Sequence, residues 1–282
     1  MLMIAFLNGR FVPETQALIS VNDRGFTYGD GLFETIRVIH GRLFQMTSHL
    51  ERLKRGAEFL KISSPFGPEK LTAFAAQLIA KNKKQNAILR VTLTRGAGER
   101  GYMPDPKSKP TLAMTLHRVP KFVPVPQWSL ATSSYRIPFA NPLTAFKTLN
   151  KLAHIMARSE ARAKGADEAL LLNTNGEVTE AASGNLFWIS RGRVCTVRLE
   201  CGALPGITRA AVLEICQAMD LATSECAIRP RDLRRARGIF ITQSAYGIVP
   251  VFALDGRPVK PSPLVERIRR AYQALLSGPR TD

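Results

Sequence analysis

Two lysines, Lys147 and Lys151, stand four positions apart in the segment FKTLNKL at residues 146–152, which carries no other charge. Lysines normally stay at the protein surface. A lysine that is partly withdrawn from water has a lowered pKa, and its amine becomes a usable nucleophile. The segment leads into an Ala-rich stretch with helical periodicity. It is therefore a candidate for covalent amine chemistry.

A carboxylate, Glu180, lies among small and apolar residues in the strand-like segment EVTEAASGNLFW. A buried carboxylate needs a partner that offsets its lost hydration. Two interpretations stay open from the residues alone. Glu180 forms a buried ion pair with one of the many arginines, or it accepts a hydrogen bond that keeps a ring nitrogen of a ligand protonated.

The segment LPGITR opens a strong helical pattern at Gly206, Ile207 and Thr208. The N–H groups of a first helical turn have no acceptor inside the helix, and such a turn suits a phosphate group. An ordinary helix start with no ligand is the alternative. Ser244, in ITQSAYG, lies at the end of a predicted strand, where a hydroxyl group either caps the chain or contacts a ligand.

A glycine-rich loop, GAGERG at residues 96–101, has the spacing G-x-G-x-x-G after a good strand. A dinucleotide site requires a helix to start there. The next residues, YMPDPKSKP, contain three prolines and cannot form that helix. The loop is instead predicted to present Arg100, followed by Tyr102, to a ligand.

The net charge of +18 raises the question of nucleic-acid binding. The basic residues are mostly scattered, and the densest run, RPRDLRRAR at residues 229–237, comes without a zinc-finger, RRM or KH signature. We therefore expect no nucleic-acid partner, and a basic surface that attracts anionic substrates.

The sequence also predicts the compartment. MLMIAFLNGRF lacks the basic region and cleavage site of a signal peptide, and no apolar run is long enough to span a membrane. The four cysteines form no C-x-x-C pair and have no nearby histidine. We expect a cytoplasmic protein with reduced thiols, no metal ion and no membrane contact.

Hydrophobic periodicity predicts an α+β protein in which strands and helices alternate. TSHLERLKRGAEFLKI and GPEKLTAFAAQLIAKNK are predicted helices, and LISV, NAILRVTLTRG and PTLAMTLHRVP are predicted strands. A further helix is predicted from about residue 150 to 164, and EVTEAASGNLFWIS is predicted as one strand. The Pro-rich segment at 121–127 is a predicted linker between a small N-terminal α/β domain, 1–120, and a larger C-terminal domain, 128–282.

Several of these segments together resemble the class IV, or fold type IV, pyridoxal-phosphate enzymes. They are NDRGFTYGDGLFETIRV, HLERL, KTLNKLAHIMARSEARAKGADEALLLNTNGEVTEAASGNLFW and LPGITR. The family includes branched-chain aminotransferases, D-amino-acid aminotransferases and 4-amino-4-deoxychorismate lyases. The resemblance runs in order over nearly the whole chain. It implies the two-domain fold of the D-amino-acid aminotransferases, pyridoxal 5'-phosphate as cofactor in the larger domain, and a homodimer whose partner chain contributes to the substrate pocket.

By this resemblance, Lys147 matches the lysine that holds the cofactor as a Schiff base, and Lys151 falls on the following helix. Glu180 matches the carboxylate that pairs with the pyridine nitrogen. A protonated ring nitrogen makes the cofactor an electron sink for negative charge at the substrate carbon.

The resemblance also implies which groups bind the phosphate of the cofactor. Arg52 of HLERL matches the phosphate-binding arginine, whose planar fork of donors suits that dianion. Ile207 and Thr208 match the helix start that surrounds the phosphate. Ser244 falls where the family places a further phosphate-contacting hydroxyl group, although TQSAYG departs from the usual pattern.

The loop TRGAGERGYMPD looks like the R-G-x-G-x-R-G-Y loop of 4-amino-4-deoxychorismate lyases. D-amino-acid aminotransferases carry Arg-x-His in this region, and here Tyr102 follows Arg100 where the histidine would stand. Branched-chain aminotransferases have a functional arginine in a Y-I-R-P strand; Arg90 in AILRV lacks that tyrosine and proline and is interpreted as a solvated strand residue. We assign substrate binding to Arg100, Tyr102 and Phe33, for a small substrate with amino and carboxylate groups.

The predicted reaction is the conversion of 4-amino-4-deoxychorismate to 4-aminobenzoate and pyruvate, a step in the synthesis of a folate precursor. The alternative is a class IV aminotransferase that acts on branched-chain L-amino acids or D-amino acids with 2-oxoglutarate. The segment GDGLFETIRV occurs in both groups and does not discriminate between them.

Overall fold

A computed structural model describes residues 2–120 and 127–278 of the chain. Contacts divide it into two units, one of residues 2–119 and 146–150, the other of residues 120, 127–145 and 151–278. Most of the predicted linker, residues 121–126, lies outside the described residues, and the predicted domain boundary stays a prediction. Residues 146–150, which the prediction put in the C-terminal domain, make their contacts with the first unit.

The first unit is built on a six-stranded sheet with helices packed against it. Its elements are β1 (Ile4–Leu7), β2 (Arg10–Pro13), α1 (Arg24–Tyr28), β3 (Gly31–Ile39), β4 (Arg42–Leu43), α2 (Met46–Leu60), α3 (Pro68–Lys81), β5 (Ala87–Thr94) and β6 (Thr111–His117). The strand order is β2-β1-β6-β5-β3-β4, and all neighbouring strands are antiparallel.

Strand β3 is the central feature of this unit for the candidate site. It pairs with β5 over eight residues, from Gly31 opposite Thr94 to Val38 opposite Ala87. Residues of one face of the sheet alternate with those of the other. Leu32, Ile36 and Val38 join the hydrophobic core, which α2 and α3 complete. Phe33, the next residue along the strand, therefore lies on the opposite face of the sheet from Leu32.

The second unit contains a larger mixed sheet. Its elements are β7 (Trp128–Ile137), α4 (Leu152–Ala163), β8 (Glu168–Asn173), β9 (Val178–Ala181), β10 (Asn185–Ser190), β11 (Arg193–Val197), α5 (Ile207–Ala218), β12 (Thr223–Cys226), α6 (Pro230–Leu233), β13 (Arg237–Gln243), β14 (Gly247–Leu254), β15 (Arg257–Pro258) and α7 (Pro263–Ser277). The strand order is β12-β11-β10-β13-β14-β7-β8-β9, and β15 pairs with β14.

Strands β8 and β9 are buried along their whole length. Their short apolar runs suit strands that are covered on both faces. The polar residues of these two strands are also buried: Glu168, Asn173, Thr179 and Glu180. Buried polar groups of this kind must find hydrogen-bond partners, so their positions point to organised polar clusters.

The α+β fold is confirmed, with two local corrections. The segment LISV, predicted as a strand, forms no strand. The residues after it begin helix α1 instead, because the side chain of Asp23 caps that helix by accepting from Gly25 N. EVTEAASGNLFWIS is two strands, β9 and β10, with a turn in which Gly184 N donates to Ala181 O. Among the described residues, every helix is too short or too polar to cross a bilayer.

Candidate active site

The first unit contains a buried charge cluster formed by Glu34, His49 and Arg52. Helix α2 places His49 and Arg52 on one face because they are three residues apart. Glu34 reaches them from β3: Oε2 lies 2.7 Å from His49 Nδ1, Arg52 Nε donates to Oε1 at 2.8 Å, and Arg52 Nη2 donates to Oε2 at 2.7 Å. The three residues are at most 5% exposed. The cluster fixes the plane of the Arg52 guanidinium.

Charge interactions keep Glu34 ionised in spite of its burial. Burial alone raises the pKa of Glu34, but hydrogen bonds and charges from Arg52 and His49 lower it to about 2. Burial lowers the pKa of His49, and this outweighs the attraction of Glu34. The neutral imidazole therefore donates its Nδ1–H to the carboxylate. Of these three residues, the sequence analysis identifies only Arg52. The other two lie in the same family motifs, Glu34 in FET and His49 in HLERL, and could have been found there.

Lys147 lies on a short segment that runs beside β3. Phe33 N donates to Lys147 O at 2.9 Å, Leu149 N donates to Gly31 O at 3.0 Å, and Thr148 bridges to Leu32. The half-buried Lys147 amine is 4.5 Å from the centroid of the Phe33 ring. This backbone pairing fixes the lysine beside the sheet. Lys151 belongs to the second unit and precedes α4 as its N-cap residue.

Phe33 has a second cationic neighbour, which the sequence does not assign to the site. The Cζ atom of Arg90 lies 4.1 Å from the centroid of the Phe33 ring, and Arg90 Nε donates to Thr92 Oγ1 at 3.3 Å. Burial lowers the pKa of Arg90. The interpretation of Arg90 as a solvated strand residue is wrong, because it is half-buried and packs on Phe33.

The backbone of the glycine-rich loop is anchored around Gly101. Buried Arg24 donates from Nη1 to Gly101 O at 2.7 Å and from Nη2 to Tyr102 O at 3.3 Å, while Gly101 N donates to Tyr28 Oη at 2.9 Å. Arg100 is exposed, and Tyr102 is 90% exposed. The loop therefore holds its backbone in place and directs the side chains of Arg100 and Tyr102 outwards. As expected, no helix follows it before β6.

In the second unit, Glu180 is held by side-chain and backbone groups of that same unit. Its Oε2 atom accepts from Asn185 Nδ2 at 3.1 Å and from Leu204 N at 3.0 Å, and its Oε1 atom lies 3.6 Å from His154 Nε2. Glu180 is 9% exposed. Within the described residues these partners are an amide, a backbone N–H group and an imidazole, so Glu180 forms no ion pair with an arginine there, and its role towards a ligand ring nitrogen stays a prediction.

Asn185 connects Glu180 to the start of α5. Its Nδ2 group also donates to Leu204 O at 2.8 Å. A Cβ atom at Gly206 would lie 2.0 Å from Asn185 Oδ1, so only glycine fits this N-cap position without movement. Helix α5 begins at Ile207, without a side-chain cap, and Thr208 is 4% exposed. Sequence reasoning misses Asn185, although SGNLFW contains it.

Ser244 lies half-buried in the turn between β13 and β14. The preceding strand carries Thr242, whose buried Oγ1 has no hydrogen-bond partner among the described residues. Gly184 approaches the same strand closely, since a Cβ there would lie 2.5 Å from Thr242 O. Ser244 therefore lies two residues after a buried hydroxyl group that has no hydrogen-bond partner in the part of the chain that the structure describes.

The chain belongs to the class IV aminotransferases, because the model of that family matches residues 31–254. It is 35% identical over 260 residues to a putative branched-chain-amino-acid aminotransferase of Methanocaldococcus jannaschii, with 91% of this chain and 90% of the relative covered. Membership confirms the predicted cofactor, pyridoxal 5'-phosphate.

Two solved structures illustrate the breadth of the similarity. A branched-chain aminotransferase from the archaeon Thermoproteus uzoniensis, with norvaline, matches with a TM-score of 0.91 and 28% identity, over 98% of this chain and 96% of that chain. A putative 4-amino-4-deoxychorismate lyase from Legionella pneumophila matches with a TM-score of 0.86 and 29% identity, over 93% of this chain and 97% of that chain.

The described residues fit this cofactor chemically. An amine at Lys147 suits its aldehyde, a guanidinium at Arg52 and a helix start at Gly206 suit its phosphate, and the ionisable carboxylate of Glu180 suits its ring nitrogen. At Gly206 the side-chain position is taken by Asn185 Oδ1, so glycine lets this helix start pack directly against the asparagine that also binds Glu180.

Proposed function

We propose that the protein is a pyridoxal-phosphate-dependent lyase that converts 4-amino-4-deoxychorismate to 4-aminobenzoate and pyruvate, and so supplies a folate precursor. The loop around Arg100 and Tyr102 carries this proposal. Its R-G-x-G-x-R-G-Y pattern resembles the lyases, and Arg24 and Tyr28 hold its backbone while Arg100 and Tyr102 are exposed. The similarity to the Legionella protein gives further support.

In this proposal, the side chains divide into those that bind the cofactor and those that bind the substrate. The cofactor set consists of Arg52, Lys147, Glu180, Ile207, Thr208 and Ser244. The substrate set consists of Phe33, Arg100 and Tyr102. When bound, pyridoxal 5'-phosphate supplies an electron sink for the negative charge that develops at the substrate carbon.

Lys147 would hold the cofactor covalently and, once displaced by the substrate amine, its free Nζ would remove the proton from the substrate carbon that bears the amino group. The enolpyruvyl group then leaves from the adjacent carbon and gains a proton to become pyruvate. The ring becomes aromatic, and the two products together contain all the atoms of the substrate. The reaction therefore needs a proton carrier and no co-substrate.

Arg52 and Glu180 serve this reaction by orientation. The Glu34–His49–Arg52 cluster fixes the direction of the Arg52 donors, so that binding the phosphate requires little reorganisation. Asn185 and Leu204 both donate to Glu180 Oε2 and so fix the position of one of its two carboxylate oxygens. Arg100 offers its guanidinium to a substrate carboxylate.

A class IV aminotransferase is the second candidate, and Arg90 favours it. This half-buried arginine lies on β5, in a strand similar to the one in which branched-chain aminotransferases carry a functional arginine, and it packs on Phe33 beside Lys147. The 35% identical relative carries an aminotransferase name. In this case Lys147 would carry the proton removed from the substrate carbon, and the cofactor would supply the amino-group transfer that converts the amino acid and 2-oxoglutarate to a keto acid and glutamate.

One product assay separates the two candidates. The holoenzyme receives enzymatically generated 4-amino-4-deoxychorismate, and 4-aminobenzoate fluorescence and pyruvate are followed together. Equal release of both, lost in Lys147→Ala, supports the lyase. No release from a protein that converts its cofactor to the pyridoxamine form with D-alanine or L-leucine rejects the lyase and supports the aminotransferase.

We also propose that the enzyme acts as a cytoplasmic homodimer, as the family resemblance implies. Light scattering of the purified holoenzyme measures its mass in solution. A mass of one chain of 31.1 kDa would contradict the dimer.

A further inference from the structure

The two oxygens of Glu180 have different surroundings. Oε2 is fully engaged by Asn185 Nδ2 and Leu204 N, at 3.1 and 3.0 Å. Oε1 faces the His154 imidazole, with Nε2 at 3.6 Å, close enough for direct electrostatic attraction but longer than a hydrogen bond. The side-chain exposures are 16% for His154 and 12% for Glu180. His154 is therefore the neighbour that controls the Oε1 side of the carboxylate.

The environment of His154 selects one imidazole tautomer. Its Nδ1 atom is buried and has no hydrogen-bond partner among the described residues. A hydrogen on Nδ1 would be a buried donor without an acceptor, which costs more than an unshared lone pair. The hydrogen therefore belongs on Nε2, where it points towards the Oε1 atom of Glu180.

The other carboxylate near His154 has partners of its own. Glu168 accepts from Arg158 Nη1 at 2.7 Å, from Ala169 N at 2.8 Å and from the hydroxyl of Ser183. Burial raises the pKa of Glu168, and His154 is the last among the neighbours that act against this rise, after Ser183, Arg158 and the Ala169 N–H group. Since Glu168 is already satisfied, Glu180 is the carboxylate that depends on the imidazole.

We propose that His154 is a positioning residue that holds the Glu180 carboxylate in the orientation needed to face the ring nitrogen of the cofactor. This inference rests on the proposed function, because it requires Glu180 to be that partner. With Oε2 fixed by Asn185 and Leu204, the contact of His154 with Oε1 prevents the carboxylate from turning about its long axis. His154 is the third residue of helix α4, so the start of that helix determines where the imidazole lies.

Three substitutions of His154 test whether it acts as an oriented hydrogen donor towards Glu180 or only fills space. Glutamine places an amide N–H near the position of imidazole Nε2, asparagine places its amide near Nδ1, and leucine removes the donor. The dissociation constant of pyridoxal 5'-phosphate is measured on the apoenzyme by quenching of intrinsic fluorescence. We expect His154→Leu and His154→Asn to weaken binding about fivefold, the size of an ordinary polar interaction, because the Nε2–Oε1 distance of 3.6 Å is too long for a full charge-assisted hydrogen bond. His154→Gln restores wild-type affinity.

A double-mutant cycle with Glu180→Gln tests whether His154 acts through the carboxylate. We expect Glu180→Gln to weaken cofactor binding and His154→Leu to add nothing in that background. Equal loss from His154→Leu in both backgrounds, or equal loss from all three His154 substitutions, would overturn the positioning role. If Glu180→Gln weakens binding while His154→Leu does not, this inference fails and the proposed role of Glu180 stands. An unchanged affinity and cofactor spectrum in Glu180→Gln overturns both.

Discussion

Glu34 is a carboxylate in the interior of the first unit, 1% exposed, and three hydrogen bonds from Arg52 and His49 keep it ionised. Its pKa falls from 4.5 to about 2, a difference that corresponds to about 3 kcal/mol of stabilisation at neutral pH. Glu34→Gln keeps the shape but removes the charge and leaves Arg52 buried without its counter-ion. Removal of one partner of a buried pair costs about 3–5 kcal/mol.

We therefore expect Glu34→Gln to lower the free energy of unfolding by about 3 kcal/mol at pH 7. The sign of the pH dependence follows from the lowered pKa. The folded state binds its proton less readily than the unfolded state, so the stabilisation is complete above pH 4.5 and is lost as the pH falls towards 2. The difference between wild type and variant should shrink over that same range.

Urea unfolding of the apoenzyme, repeated across this pH range, measures both quantities. Glu58→Gln is the control, the same change on helix α2, which carries Arg52; Glu58 is exposed and lies 3.9 Å from the exposed Lys54. Such surface pairs contribute about 0–1 kcal/mol. A Glu34→Gln variant as stable as the Glu58→Gln control at pH 7 would refute the assignment of a structural charge cluster.

Three further outcomes are expected from the same structure. Burial lowers the pKa of His49, so protonation favours the unfolded state and the wild type should lose stability as the pH falls below 6.5. His49→Gln should remove this loss. Urea unfolding at pH 7 and 5 checks this, and a variant that loses as much stability as the wild type between the two pH values would reject it. Borohydride reduction followed by mass spectrometry should find the cofactor attached in Lys151→Ala but not in Lys147→Ala, and attachment surviving in Lys147→Ala would exclude that lysine. Gly206→Ala should raise the dissociation constant of pyridoxal 5'-phosphate by about tenfold or more, since its Cβ would meet Asn185 Oδ1 at 2.0 Å. Unchanged binding in a fluorescence titration would show that this helix start does not bind the cofactor.

The order and spacing of local motifs allowed the sequence to predict the family, the cofactor and the α+β fold. Residues such as Lys147, Glu180 and Gly206 stand out because each conflicts with its local surroundings: a lysine in an uncharged segment, a carboxylate in an apolar strand, a glycine before a helix. Such conflicts are visible within a few residues of the chain. They indicate where chemistry is organised but not by which partners.

The partners were decided by tertiary structure. Glu34 meets Arg52 across 18 positions of sequence, and Glu180 meets Leu204 across 24. His154 and Arg90 have ordinary local surroundings, and only packing turns one towards Glu180 and places the other on Phe33. A short motif specifies which side chain is present, whereas the register of strands and the face of each helix determine which distant group it contacts. Because the charge state and orientation of a side chain depend on those contacts, the sequence alone identified the candidate reactive groups and the fold supplied the electrostatics that direct them.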